Sequence, residues 1–143
     1  MGQAVFAFSR ERWTGIDLEI PRDQDVDYQG IISYFSPAEQ EHLRAVSAEG
    51  LTDEFLRFWT GKEAVLKAIG TGLSEELSSL EIEASSTGLR TVLVQKSADK
   101  AADWRLFELA PYDRGRCTLA TRQPSEIACT RLTLDAGFLE RVL

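Results

Sequence analysis

The stretch from Thr52 to Ile69 constrains the fold of this chain more than any other. Phe55, Phe58, Trp59, Leu66 and Ile69 recur there at helical spacing, which lays one apolar stripe along a long helix. Gly70 follows, placed to stop the helix in the left-handed conformation. Such a stripe must be covered, so the remaining chain has to supply a packing surface for it. A second helix is predicted from Ser36-Pro37-Ala38-Glu39 to about Ser47. Ser36 can cap it, Pro37 takes the first helical position at no hydrogen-bond cost, and Glu39 can reach back as the third residue.

The other segments alternate. Val5, Ala7 and Ser9 interleave with Phe6 and Phe8, and a second run, residues 14–20, follows the Arg10-Glu11-Arg12 turn, so the spacing predicts a hairpin. Strands are also predicted at 80–84, 89–95, 104–110, 117–122 and 127–132, with turn residues at 85–88 and 113–115. Residues 135–139 could begin a last short helix. Nothing in the composition marks a linker, a low-complexity tract or a repeat. The reading is α+β: an antiparallel sheet packed against two main helices, in one domain spanning 1–143.

Charge narrows the function classes. Sixteen Lys and Arg stand against 23 Asp and Glu, a net charge of −7, which disfavours a nucleic-acid binder. Two cysteines and one histidine are too few for a zinc site or a disulfide framework, so a reducing cytoplasm is expected. The apolar run 4–8 is too short for a signal-peptide core or a membrane span, and no membrane partner is expected.

Asp17 and Glu19 stand two apart on a strand whose Ile16, Leu18 and Ile20 are expected to point to the core, so both carboxylates share the other face. Two acids so close repel unless a cation neutralises them, and magnesium accepts one or two carboxylates together with substrate phosphates. An ordinary amphipathic strand would show the same alternation. On the long helix Trp59, Glu63 and Lys67 fall at i, i+4 and i+8, and Lys62 lies a third of a turn aside. Glu63 and Lys67 could be a plain surface ion pair, stabilising by about 0.3–0.5 kcal/mol. That alternative leaves Trp59 on the charged stripe unexplained.

Gly15-Ile16-Asp17-Leu18-Glu19, Phe35-Ser36-Pro37-Ala38-Glu39 and the run from Phe58-Trp59-Thr60-Gly61-Lys62-Glu63-Ala64-Val65-Leu66-Lys67 to Ala68-Ile69-Gly70-Thr71-Gly72-Leu73 resemble, in order and spacing, the signature of the 4′-phosphopantetheinyl transferases. Trp59 and the F-S-P-x-E element look like the surfactin-synthetase-activating class. The resemblance covers about residues 4–122, and the stretch from Lys67 to Gly72 is also similar to the half-length holo-acyl-carrier-protein synthases.

The resemblance implies transfer of the phosphopantetheine arm of coenzyme A to a serine of an acyl or peptidyl carrier protein, leaving adenosine 3′,5′-bisphosphate. It implies magnesium held by Asp17, Glu19 and Glu63, and a catalytic face formed by Glu63, Lys62 and Lys67, with the two lysines toward coenzyme A. The surfactin-synthetase-activating class has two similar halves in one chain, and its first half brings basic residues and an S-H pair for the nucleotide end. Those residues have no counterpart here, since His42 matches no family ligand and reads as helix surface. A homo-oligomer or other second chain is therefore expected to complete the site. The alternative is a non-catalytic half-domain that binds carrier proteins or coenzyme A beside another chain. Arg10, Arg12, Arg44 and Arg57 are candidates for docking an acidic carrier, or simply solubilising surface arginines.

Overall fold

The computed structural model describes residues 4–10, 13–21, 27–70, 77–94, 104–109 and 115–122. Its elements are β1 (Thr14–Glu19), α1 (Tyr28–Ile32), α2 (Pro37–Arg44), α3 (Ala48–Ile69), a 3-10 turn at Leu77–Ser79, β2 (Leu80–Ser85), β3 (Gly88–Val94), β4 (Arg105–Leu109) and β5 (Arg116–Thr121). One sheet has the order β1-β5-β4 and the other pairs β2 with β3; every pairing is antiparallel. The expected α+β arrangement of antiparallel sheet and helices is present. The expected strand 127–132 and helix 135–139 lie outside the described residues.

The long helix is as foreseen at its C-terminal end. Gly70 adopts φ 86°, and its N–H donates to the Leu66 carbonyl at 2.9 Å, closing a turn that a side chain would strain. At the other end α3 starts at Ala48, four residues before the expected Thr52. Gly50 in its first turns is a poor helix former, and the apolar stripe begins only at Leu51, so the sequence signal starts late. In α2 the capping box is complete: the Glu39 N–H donates to Ser36 Oγ at 3.3 Å, and Glu39 Oε2 accepts the Ser36 N–H at 2.8 Å. The helix stops at Arg44, short of the expected Ser47. The short α1 was not anticipated; Asp27 caps it by accepting the Gly30 N–H at 3.0 Å.

The expected hairpin is not formed. Residues 4–10 carry no strand, Phe6 and Phe8 are 76% and 94% exposed, and β1 pairs instead with β5, Thr14 opposite Thr121 and Asp17 opposite Thr118. Alternation shows that a run can be a strand but is silent on its partner. The distant partner wins because β5 is buried from Cys117 to Thr121 and serves as the middle strand, with β4 on its other edge.

One hydrophobic cluster joins Ile32, Phe35, Leu43, Phe55, Phe58, Val65, Leu66, Leu80, Ile82, Leu89, Trp104 and Ala120. Helix α3 runs through it, in contact with β1 and β5. The approach of β1 is extreme: a Cβ on Gly15 would stand 2.1 Å from the Ala64 carbonyl oxygen and 2.6 Å from the Ala68 nitrogen. Strand and helix backbones therefore touch, with no room for even a methyl group. Among the described residues no helix is long and apolar enough to cross a membrane.

Substituting Gly15→Ala should cost about 1–3 kcal/mol through overpacking against backbone that cannot yield. Urea denaturation should show a lower midpoint with an unchanged slope.

Candidate active site

The backbone contact at Gly15 determines what Asp17 sees. Residues two apart on a strand share a face, so with Gly15 pressed on Ala64 and Ala68, Asp17 also turns toward α3. The expectation that Ile16, Leu18 and Ile20 form the core face of β1 is corrected, since Gly15 and Asp17 are its buried residues and Ile20 is exposed. Its carboxylate is 6% exposed, and Oδ1 accepts a hydrogen bond from Lys67 Nζ at 2.5 Å. Lys67 belongs to the last turn of α3, and its side chain is 48% exposed. The other oxygen, Asp17 Oδ2, is buried without a hydrogen-bond partner, and so is Glu63 Oε1 one turn back along the helix. An unmet buried acceptor costs about 1–3 kcal/mol. Burial pushes the Glu63 carboxyl above the usual carboxylate range, Asp17 and to a smaller degree Glu19 add to the shift, and Lys67 opposes it.

Asp17, Glu63 and Lys67 are thus brought together, with Glu19 half-buried toward the end of β1. The plain Glu63–Lys67 pair along the helix is replaced by a bond from Lys67 across to β1. Trp59 is half-buried and stacks on Phe55, ring centroids 5.9 Å apart, so the core, not the charged stripe, accounts for it. His42 meets Glu54 Oε1 at 2.8 Å. Of the four arginines, Arg57 is engaged by Glu108 and the Ser85 carbonyl, Arg44 bonds Gln40, Arg10 is exposed, and Arg12 lies outside the described residues, as do Thr71 and Gly72.

Lys62 is not at this face. Successive helical residues point about 100° apart, and that rotation turns Lys62 away from the Glu63 face toward the segment entering β2, where its side chain is wholly buried. Its ammonium donates to the Leu77 carbonyl at 2.7 Å and to the Leu80 carbonyl, pairs with Glu39 Oε2 at 2.8 Å, and stands 4.9 Å from the centre of the Phe35 ring. Burial draws the ammonium below the ordinary lysine range and Glu39 pulls it back. In this geometry Lys62, expected at a catalytic and coenzyme-binding face, fastens α3 to the segment entering β2.

Sequence reasoning missed the reach of Glu39. The capping box announced its bond to the Ser36 N–H, but Glu39 Oε1 also accepts the Ile82 N–H of β2 at 2.8 Å. An acid at the third position of a capping box, facing a lysine on the neighbouring helix, is the only signal the sequence held.

Among the described residues no three acids, histidines or cysteines stand close enough to enclose a metal ion as they are. The two orphaned carboxylate oxygens of Asp17 and Glu63 are nevertheless the hard donors that magnesium takes, and an ion there would relieve both their desolvation and their mutual repulsion. In this respect the donor set fits the cation.

The 4′-phosphopantetheinyl transferase superfamily profile matches residues 14–129. The 4′-phosphopantetheinyl transferase HetI of Nostoc sp. strain PCC 7120 is 36% identical over 111 residues, which is 77% of this chain and 44% of that protein. A 4′-phosphopantetheinyl transferase of Bacillus subtilis is 34% identical over 74 residues, 52% of this chain and 32% of that one. The chain thus spans less than half the length of these relatives. A solved holo-(acyl-carrier-protein) synthase from Bacillus anthracis, in complex with CoA (3′,5′-ADP), superposes with a TM-score of 0.49 at 17% identity, covering 76% of this chain and 91% of that one.

Neighbouring helix positions should respond oppositely to neutralisation. Lys62→Met leaves Glu39 buried and uncompensated, and should cost about 3–5 kcal/mol. Glu63→Gln should stabilise at neutral pH. Because the folded-state pKa of Glu63 is raised, the cost of its charge is fully present above that pKa and vanishes once the unfolded carboxyl is also protonated, below 4.5. Thermal melts of wild type and Glu63→Gln should therefore differ at neutral pH and converge as pH falls through the raised value to 4.5.

Proposed function

The chain belongs to the 4′-phosphopantetheinyl transferase superfamily, and from that premise we propose that it transfers the 4′-phosphopantetheine arm of coenzyme A to a serine of an acyl or peptidyl carrier protein in the cytoplasm. The supporting observation is the convergence of Asp17, Glu63 and Lys67, two of their carboxylate oxygens buried and unmet, on the helix that carries the family's W-x-x-K-E-A-x-x-K run. In the reaction the serine oxygen forms a bond to the coenzyme A phosphorus bearing the pantetheine arm, and the bond from that phosphorus to the bridging oxygen breaks. Adenosine 3′,5′-bisphosphate departs with that electron pair.

Each residue has a task that its surroundings suit. Glu63 accepts the serine proton as the general base. Lys67, half-exposed on a flexible stem, meets the pyrophosphate oxygens as a point charge. Asp17 and Glu63, with Glu19 beside them, would hold magnesium, which when bound supplies charge neutralisation on the phosphoryl oxygens. Lys62 contributes by fixing the pitch of α3, since its ammonium is spent on Glu39 and two carbonyls.

The nucleotide end of coenzyme A needs more positive charge than Lys67 offers, in a chain whose net charge is −7. A second copy of the chain, or another partner, would provide it across a shared seam.

Incubation with an apo carrier protein, coenzyme A and magnesium should yield a phosphopantetheine adduct on the carrier serine, read by intact-mass spectrometry and abolished by a chelator. Glu63→Gln should slow its formation by about 10²-fold or more. Coenzyme A binding with no adduct would favour the non-catalytic half-domain. Sedimentation velocity should show a dimer when coenzyme A and magnesium are present; a transferring monomer would remove the shared seam.

A further inference from the structure

The pair between Lys67 and Asp17 carries a consequence beyond the reading just given, on which it rests. Asp17 is a 6% exposed carboxylate with one oxygen satisfied by Lys67 at 2.5 Å and the other by nothing. Glu63, nearby on the same helix as Lys67, has an orphaned oxygen of its own. A buried carboxylate this poorly solvated requires a cation, and the one it has is attached to a long side chain whose body is 48% exposed. Contrast Lys62, wholly enclosed and bonded on all sides: that lysine cannot leave its acid, whereas Lys67 can rotate outward with little loss of packing.

We infer that Lys67 is a placeholder cation: it neutralises Asp17 while the carboxylate cluster is empty, and gives up Asp17 to a divalent ion when one binds. Two effects follow from this exchange. The cluster is kept folded and neutralised without metal, and each binding event frees an ammonium beside the new ion, ready for a phosphate oxygen. Metal and anionic substrate are thereby coupled, because the substrate offers the displaced ammonium a new partner. Lys67 is a positioning residue in the first state and a ligand for phosphate only in the second.

Competition is measurable on the metal alone. Calorimetric titration of the metal-free protein with Mn2+ should show Lys67→Gln binding about three- to fivefold more tightly than wild type, the factor a half-exposed ion pair is worth. Lys67→Arg, which keeps the charge, should stay within about twofold of wild type. Melting curves give a second readout that does not depend on the titration: without metal Lys67→Gln should melt below wild type, and with saturating Mg2+ the gap should close. Equal or weaker Mn2+ affinity in Lys67→Gln, or a melting gap that metal does not close, overturns the placeholder. If neither protein binds Mn2+, both the placeholder and the metal assignment fall, while adduct formation in the carrier assay would still report on transfer itself.

Discussion

Everything at the candidate site depends on two backbones being allowed to touch. Gly15 on β1 and the small residues Ala64 and Ala68 on α3 bring strand and helix into direct contact, and that contact sets how far Asp17 stands from Glu63 and Lys67. A larger residue at Gly15 would push β1 away and carry Asp17 with it, separating charges that have been desolvated to meet. The sheet behind repeats the theme more softly: Thr60 of α3 and Thr118 of β5, the partner of Asp17 across the ladder, share a buried hydroxyl bond of 2.9 Å. Packing and electrostatics are thus one constraint, since small-residue contacts set where the charges of the cluster meet.

Two acid–lysine pairs flank α3, and they are solved differently. Glu39 and Lys62 are closed on all sides, with backbone N–H groups on the carboxylate and carbonyls on the ammonium. Such a pair contributes specificity of arrangement when intact and is costly when broken. Asp17 and Lys67 leave one oxygen open and one side chain half in solvent. A protein that wanted only stability would have completed the second pair as it did the first. The incomplete one leaves a buried carboxylate oxygen without a partner.

How much of this was legible can be traced residue by residue. The C-terminal stop at Gly70 and the capping box at Ser36 and Glu39 followed from local sequence signals, and the grouping of Asp17 with the long helix's Glu63 and Lys67 from the family-like motif alone. Three things did not. The partner of β1 is about a hundred residues away in sequence, so alternation near Val5 to Ser9 misdirected it to a hairpin. Lys62 sits next to Glu63 in the chain, yet the helix turns it about 100° away, and only the position of β2 reveals what it meets. The third, the burial of Trp59 against Phe55, depends on how α3 lies in the core, which the helical repeat alone leaves undetermined.

The register of β1 against β5 also has a temporal side. Thr14 opposes Thr121 and Glu19 opposes Arg116, so the strand bearing Asp17 is synthesised early and finds its hydrogen-bonding partner late. During translation α2, α3 and the β2–β3 pair can assemble from neighbouring sequence, while β1 waits with its carboxylates in water until residue 121 has cleared the ribosome. Closing so long a loop makes this pairing a slow step. A chain truncated before β5 would keep α3 but lack the strand against which β1, and with it Asp17, is paired.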